Sequence, residues 1–322
     1  MRPHLNATML VALALIAACH ARESVGVRGE LPVPNASLAY VIAGHGADTV
    51  IVLHGGPGLH SGYLRAAFDT LAREHTIIYY DQRGLGRSAA HADTTQFTIA
   101  QEIADLDSLR RALHIGRATL IAHHFGAVIA ALYTKRFPAH VRRLVLVAPS
   151  FPSSPYYFWA STEPHDVQAN ARFFKALASG TDSTDPRGFC RHFWNFLFSP
   201  IELTVAPDVE RLSGDVCDAP PEALRRAWPI NRLVNRSLHG FDLRDTLRTL
   251  ALPALVISGA VDTATQAATA AWVRDLPGAR EVRLSVPGLF PWLDARAPFI
   301  AAVTAFLQDS AGTARQVAAA AR

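Results

Sequence analysis

The sequence predicts an α/β protein, with a mostly parallel central sheet flanked by helices and interrupted by a helical insertion. Two observations carry that prediction. Short apolar, β-branched runs alternate with segments of helical spacing, the pattern of strands buried on both faces of a parallel sheet. The alternation breaks between about 150 and 250, where Phe, Trp, Pro and Arg dominate, and then resumes. A chain of 322 residues, 50% hydrophobic and 18% charged, is long enough for one large domain carrying such an insertion.

From the N-terminus, the first segment reads as an address. Arg2 and His4 precede "MLVALALIAAC" (9–19), which is too short for a stable membrane-spanning helix but matches the apolar stretch of an export signal. Residues 1–18 are therefore expected to be an export signal peptide of lipoprotein type. The ending "IAAC" resembles the bacterial lipobox, which makes Cys19 the acylated first residue of a protein anchored on the periplasmic side of the cell envelope. The alternative is an ordinary cleaved signal, an incidental Cys19 and a soluble periplasmic or secreted protein. Stable anchoring takes more than one acyl chain. Export also bears on Cys190 and Cys217, an even pair in an oxidising compartment, which points to a disulfide contributing on the order of 3 kcal/mol.

The strands follow in order: "LAYVIAG" (38–44), "TVIVLHGG" (49–56), "TIIYYD" (76–81), "ATLIAHH" (118–124) and "VRRLVLVAP" (141–149). The clearest helix is "TIAQEIADLDSLRRALHI", where Thr98 and Gln101 form a capping box ahead of apolar residues at helical spacing. The insertion ("FPSSPYYFWAS", "CRHFWNFLF", "RRAWPINRL") has no convincing strand. After it come "ALVISGAVD" (254–262), a helix near 263–276, "AREVRLSVP" (279–287) and a last helix to about 309. The tail 309–322 has little to bury and is expected to be flexible. Charge is dispersed: 31 basic against 27 acidic residues, net +4, with no nucleic-acid footprint. Only Lys135 and Lys175 are lysines among the basic residues, a composition bias rather than a function.

Two motifs follow strands, "HGGPG" (54–58) and "DQRGLGRS" (81–88). With the strand–turn–helix at 118–137, and with "DLRDTLRTLALPALVISGAVD" and "VPGLFPWLD" in the last third, the chain resembles the α/β-hydrolase fold, specifically its proline iminopeptidase-like branch. The resemblance covers roughly 33–308. It implies a core of 33–149 and 251–308 around a cap at 150–250, and ancestors that cleaved small amides or esters.

The glycines of HGGPG let backbone approach the site, where N–H groups can face a developing oxyanion. The resemblance implies Gly56 as one donor and the Phe125 N–H as the other, with His54, Gly55 and His123 lining the pocket. "DQRGLGRS" is expected to shape its loop rather than touch substrate. The nucleophile elbow of such folds is G-x-S-x-G. The matching letters here are Ala122, His123, His124, Phe125 and Gly126, so the serine is replaced by His124. Asp262 fits the acid. The base position, His in relatives, holds Leu289, and no His follows His239.

Loss of nucleophile or base costs about a millionfold in rate, roughly 8 kcal/mol of barrier. The first expectation is therefore a lipid-anchored, catalytically degenerate hydrolase-fold protein that retains a pocket for a small apolar or aminoacyl-like ligand. The alternative is an active hydrolase or lyase in which Asp262 orients His124 as a general base beside the retained oxyanion hole. A metal held by His54, His124 and Asp262 lacks any HxH or HExxH spacing, and neither metal nor cofactor is expected. Cap histidines His165, His192 and His239 are read as surface or entrance residues, and the cap aromatics Phe158, Trp159, Phe193, Trp194 and Trp228 as core, a few of them roofing the site. No protein partner is identified.

Overall fold

A computed structural model describes residues 26–309, apart from 57, 91–92, 155–174, 176–178, 180–183, 191–216, 218, 221, 239 and 262. Nine strands form one sheet: β1 (Val27–Val33), β2 (Ala36–Ala43), β3 (Asp48–Leu53), β4 (His75–Tyr80), β5 (Ala89–Ala90), β6 (Ala118–His123), β7 (Val141–Val147), β8 (Ala254–Gly259) and β9 (Arg280–Leu284). Their order is β1-β2-β4-β3-β6-β7-β8-β9, with β5 pairing β2. β2 runs antiparallel to β1, β4 and β5, while the ladders from β4 through β9 are parallel.

Alternation along the strands explains the layering. Ile51, Leu53, Leu120, Ala122, Leu144, Leu146 and Val256 face one apolar cluster, which the helices Ile99–Ala112, Gly126–Arg136 and Thr263–Asp275 complete. Val50, Val52, Ile121, Val145, Val147, Leu255 and Ile257 face the other, closed by the helices Gly62–Phe68 and Arg296–Gln308. All six residues of β6 are buried, as its uninterrupted apolar run requires.

Two expectations need correction. The sheet starts at Val27, ahead of the boundary placed at 33. β1 is an edge strand with alternating exposure, and it is joined to β2 by a two-residue turn in which Pro34 precedes Asn35 at φ +59°. The capping box at Thr98 is half made. The Thr98 hydroxyl accepts from the Gln101 N–H, and the Gln101 side-chain amide donates to the Asp105 carboxylate at 3.0 Å, while among the described residues no bond runs from the Thr98 N–H to the Gln101 side-chain oxygen. Strand character in the 150–250 segment is confined, among described residues, to an isolated bridge between Ser153 and Asp242.

Of the expected cap, the helix Glu222–Ser237 is described and rests on the loops after β3 and β4. Arg226 donates to the Gly84 carbonyl at 3.0 Å, and the Ile99 N–H donates to the Ser237 hydroxyl at 2.9 Å. A Cβ on Gly58 would lie 3.0 Å from the Ala227 carbonyl oxygen, so the helix touches the HGGPG loop directly. Cys190 and Cys217 are disulfide-bonded, with Cα atoms 5.7 Å apart. Cys19, His165, His192, His239, Phe158, Trp159, Phe193, Trp194 and the tail 310–322 lie outside the described residues.

Candidate functional site

Strand order reverses between β3 and β6, and such a switch point opens a crevice at the carboxyl ends of a parallel sheet. β3 runs into His54 and the glycines of HGGPG, and β6 runs into His123 and His124. The two ends are neighbours, with Leu53 opposite Ala122. A Cβ on Gly55 would lie 2.9 Å from His123 Nδ1 and 3.1 Å from His124 Cβ, so only glycine lets the loop cross the turn so closely. Gly126 is equally constrained, since a Cβ there would lie 2.7 Å from the Leu53 carbonyl oxygen.

The elbow is intact in its backbone. His124 has φ +48°, the left-handed conformation that His tolerates better than most side chains. Its N–H donates to the Val147 carbonyl at 3.0 Å, and its own carbonyl accepts from the Ala127 N–H at 3.1 Å and the Ser150 N–H at 3.2 Å. Phe125 is buried at the start of the helix Gly126–Arg136. Among the described residues, neither the Phe125 N–H nor the Gly56 N–H donates to a partner.

The Gly56 main chain beside the half-buried His124 ring favours its charged form, but burial outweighs this and pushes the His124 pKa down to about 4, so the ring is neutral near pH 7. Asp262, the expected acid, lies outside the described residues.

The other two histidines are core groups rather than pocket lining. His123 is 1% exposed and belongs to a continuous buried hydrogen-bond chain. The Gly55 N–H donates to the Tyr63 hydroxyl at 2.8 Å, that hydroxyl meets His123 Nδ1 at 2.6 Å, and His123 Nε2 meets the Leu289 carbonyl oxygen at 2.8 Å. A carbonyl only accepts, so the proton sits on Nε2 and Nδ1 accepts from Tyr63. Phe290 and Trp292 pack around the same ring, each with its centroid 5.2 Å away. Burial first, then the neighbouring His124, pushes the His123 pKa down to about 3. His54 is fully buried, and burial likewise lowers its pKa to about 4. Its Nε2 accepts from the Gln82 N–H at 3.0 Å, which leaves the proton on Nδ1, 2.9 Å from the Gly55 carbonyl oxygen. No lone pair of His54 remains for a metal.

Leu289 is bound to the site by its backbone. Its carbonyl is held by His123, while its side chain packs against the apolar cluster on the Gly62–Phe68 side of the sheet. Tyr63 is the member of this network that sequence reasoning missed. No motif contains it, and only the fold brings the helix after HGGPG beneath the end of β6. The "DQRGLGRS" loop behaves as expected for a shaping element: Arg83, fully buried, bonds Asp105 at 2.8 and 2.6 Å and the Pro34 carbonyl at 2.8 Å.

Among the described residues, His124, Phe125 and Leu289 do not line either of two cavities that border His60. One, of about 100 Å³, runs between Gly58, His60 and Gly86 and the disulfide. The other, of about 280 Å³, opens at the β1–β2 edge of the sheet.

Comparison with known proteins agrees with this architecture. A model of the alpha/beta hydrolase fold matches residues 48–288. The proline iminopeptidase of Heyndrickxia coagulans is 26% identical over 277 residues, covering 82% of this chain and 92% of the relative. Among solved structures, the proline iminopeptidase of Mycobacterium smegmatis superposes with a TM-score of 0.66 at 21% identity, over 91% of this chain and all of that one (100%). A hydrolase from Pseudomonas aeruginosa PA01 superposes with a TM-score of 0.62 at 24% identity, over 88% of this chain and 99% of that one. With most of its length matched, from the strand before HGGPG to the loop before Leu289, the chain belongs to the alpha/beta hydrolase fold family and resembles proline iminopeptidases within it.

Proposed function

We propose that this is an exported, lipid-anchored α/β-hydrolase-fold protein that binds a small apolar or aminoacyl-like ligand without turning it over as a serine hydrolase. One observation carries the reading: the elbow keeps its strained backbone, yet its side chain is an imidazole rather than a hydroxyl. Leu289 supports the same reading from the opposite side of the crevice, because an isobutyl group can neither take nor give a proton. The N–H groups of Gly56 and Phe125 serve in this proposal as ligand-facing donors, the remnant of an oxyanion hole. Anchoring rests on the "IAAC" stretch ending at Cys19.

The lowered pKa of His124 counts against the alternative of a His124–Asp262 dyad, because a base of pKa about 4 is far from the value that suits proton abstraction near pH 7.

The test is a restoration series, His124→Ser, Leu289→His and both together, assayed on aminoacyl and short-chain activated esters and with a fluorophosphonate label. The wild-type chain and both single variants are expected to show no acyl-enzyme burst and no labelling. The double variant is expected to gain both, with turnover at least a hundredfold above the wild type. A stoichiometric burst from the wild type that disappears in His124→Ala would overturn the proposal.

A further inference from the structure

We propose that the cavity of about 100 Å³ between the HGGPG loop, the loop after β4 and the disulfide binds the carboxylate end of a small acyl or aminoacyl compound. The inference goes beyond the reading above and does not need it, because its donors are in place whether or not the elbow turns over an ester.

The cavity lies where the inserted segment meets the core. Gly58 belongs to the HGGPG loop, Gly86 to the loop after β4, and Arg187, Ala223 and Leu224 to the insertion. Small ligands are commonly held in such clefts. A Cβ on Gly56 would lie 2.4 Å from the Gly58 nitrogen, so the loop that carries one proposed oxyanion donor also forms this wall.

Unmet donors converge on this space. Gly86 is buried, and among the described residues neither its N–H nor that of Gly58 donates to a partner. A buried N–H without an acceptor is rare in folded proteins. Arg187 is exposed and, among the described residues, makes no hydrogen bond or ion pair. Ala223 and Leu224 stand in the first turn of the helix Glu222–Ser237, so the positive end of that helix borders the same space.

Three acidic groups lie close by, and each faces a donor of the chain itself. Asp81 sits beneath Gly86, its Oδ2 2.3 Å from the place a Cβ would take there. One of its oxygens accepts from the Ser61 N–H and hydroxyl, both at 2.7 Å, and the other from the Arg87 N–H at 2.9 Å. Asp185 accepts from the Gly188 N–H at 2.9 Å, and Glu222 faces Arg226 at 3.8 Å. None of the three lines the cavity, whereas Arg187 does. A guanidinium fork meets both oxygens of a carboxylate at once.

Size and polarity narrow the ligand further. Pro186, Ala219, Pro220 and Leu224 make the remaining wall apolar. The space equals the bulk of about three waters, which admits a carboxylate on a short apolar stem.

The experiment titrates the purified protein, disulfide intact, with N-acetyl-L-alanine and with N-acetyl-L-alaninamide by calorimetry. Modification of arginines by phenylglyoxal, mapped by peptide mass, reports where the ligand sits. The acid is expected to bind at least tenfold more tightly than the amide and to slow modification of Arg187 above that of the other arginines. Arg187→Leu is expected to lose at least tenfold in affinity for the acid, and Arg187→Lys less. Leu224→Phe, which fills the cavity, is expected to weaken binding at least tenfold while Arg187 stays in place; thermal melts check that all three variants fold. The proposal is overturned by equal affinity for acid and amide, by no measurable binding of the acid, or by an affinity unchanged in Arg187→Leu. Chloride or inorganic phosphate competing as well as the acid would reveal only an unselective cationic surface, and would also overturn it. The ester burst of the restoration series reads the elbow alone, so failure there leaves this result standing.

Discussion

At the scale of single residues, three neutral histidines sit at the junction of β3 and β6. His54, His123 and His124 all have pKa values lowered by burial, to about 4, 3 and 4. In the unfolded chain each returns to the ordinary value of about 6.5. Between these limits the unfolded state binds more protons, so stability is fully present above about pH 6.5 and is lost as pH falls. At pH 5 each group costs about 2 kcal/mol, because 1.4 kcal/mol accompanies each pH unit. The melting temperature is therefore expected to fall steeply between pH 7 and pH 5, well before most carboxylates titrate. In His123→Phe the slope is expected to be shallower, while stability at pH 7.5 drops by about 2–4 kcal/mol because Tyr63 and the Leu289 carbonyl lose their partner. Melts followed by circular dichroism across this range check both; an unchanged slope in the variant would show that His123 is protonated in the native state. Gly126→Ala tests the close approach of the elbow to β3. A Cβ 2.7 Å from a backbone oxygen forces one chain to move, at about 1–3 kcal/mol in denaturant titrations.

At the scale of elements, the loop after β4 is held by a buried ion pair. Arg83 and Asp105 side chains are each 1% exposed, and the guanidinium also reaches the Pro34 carbonyl in the β1–β2 turn. Removing one partner leaves the other charge buried and alone, which costs about 3–5 kcal/mol. Arg83→Ala is expected to lose that much in urea unfolding, and to release the β1–β2 hairpin toward faster hydrogen exchange; a loss below 1 kcal/mol would mean that the pair contributes nothing net. The same elements show what the sequence discloses. β3, β4, β6, β7 and β8 are legible because burial on both faces demands unbroken apolar runs. β1 is not, since an edge strand needs no such run and carries Gly29 and Pro32 within it; its one signal was the Pro34–Asn35 turn. The elbow is legible as a local motif. The Tyr63–His123–Leu289 chain is not, because its members lie 60 and 166 positions apart and only tertiary packing joins them.

At the scale of the whole molecule, the disulfide ties together two parts of the inserted segment where they pack against the body of the fold. Cys190 is buried in the apolar cluster on the Gly62–Phe68 side, Cys217 packs against it, and both border the cavity that reaches Gly58, His60 and Gly86. The bond closes a loop spanning 27 positions. Constraint of the unfolded chain over such a loop amounts to about 3–4 kcal/mol. Reduction is expected to act unevenly, because the parallel sheet between β3 and β8 is closed by helices that do not depend on the bond. The helix Glu222–Ser237 touches the HGGPG loop through Ala227 and the β4 loop through Arg226, so these contacts are the ones that loosen. In Cys190→Ser/Cys217→Ser, or after reduction, hydrogen exchange is expected to rise at least tenfold around 56–62, 84–88 and 222–230 while remaining slow in 118–123 and 141–147. Binding of any ligand held between that helix and the elbow should weaken in proportion. Uniform acceleration across the sheet would instead mean that the bond stabilises the fold globally and has no particular hold on the site.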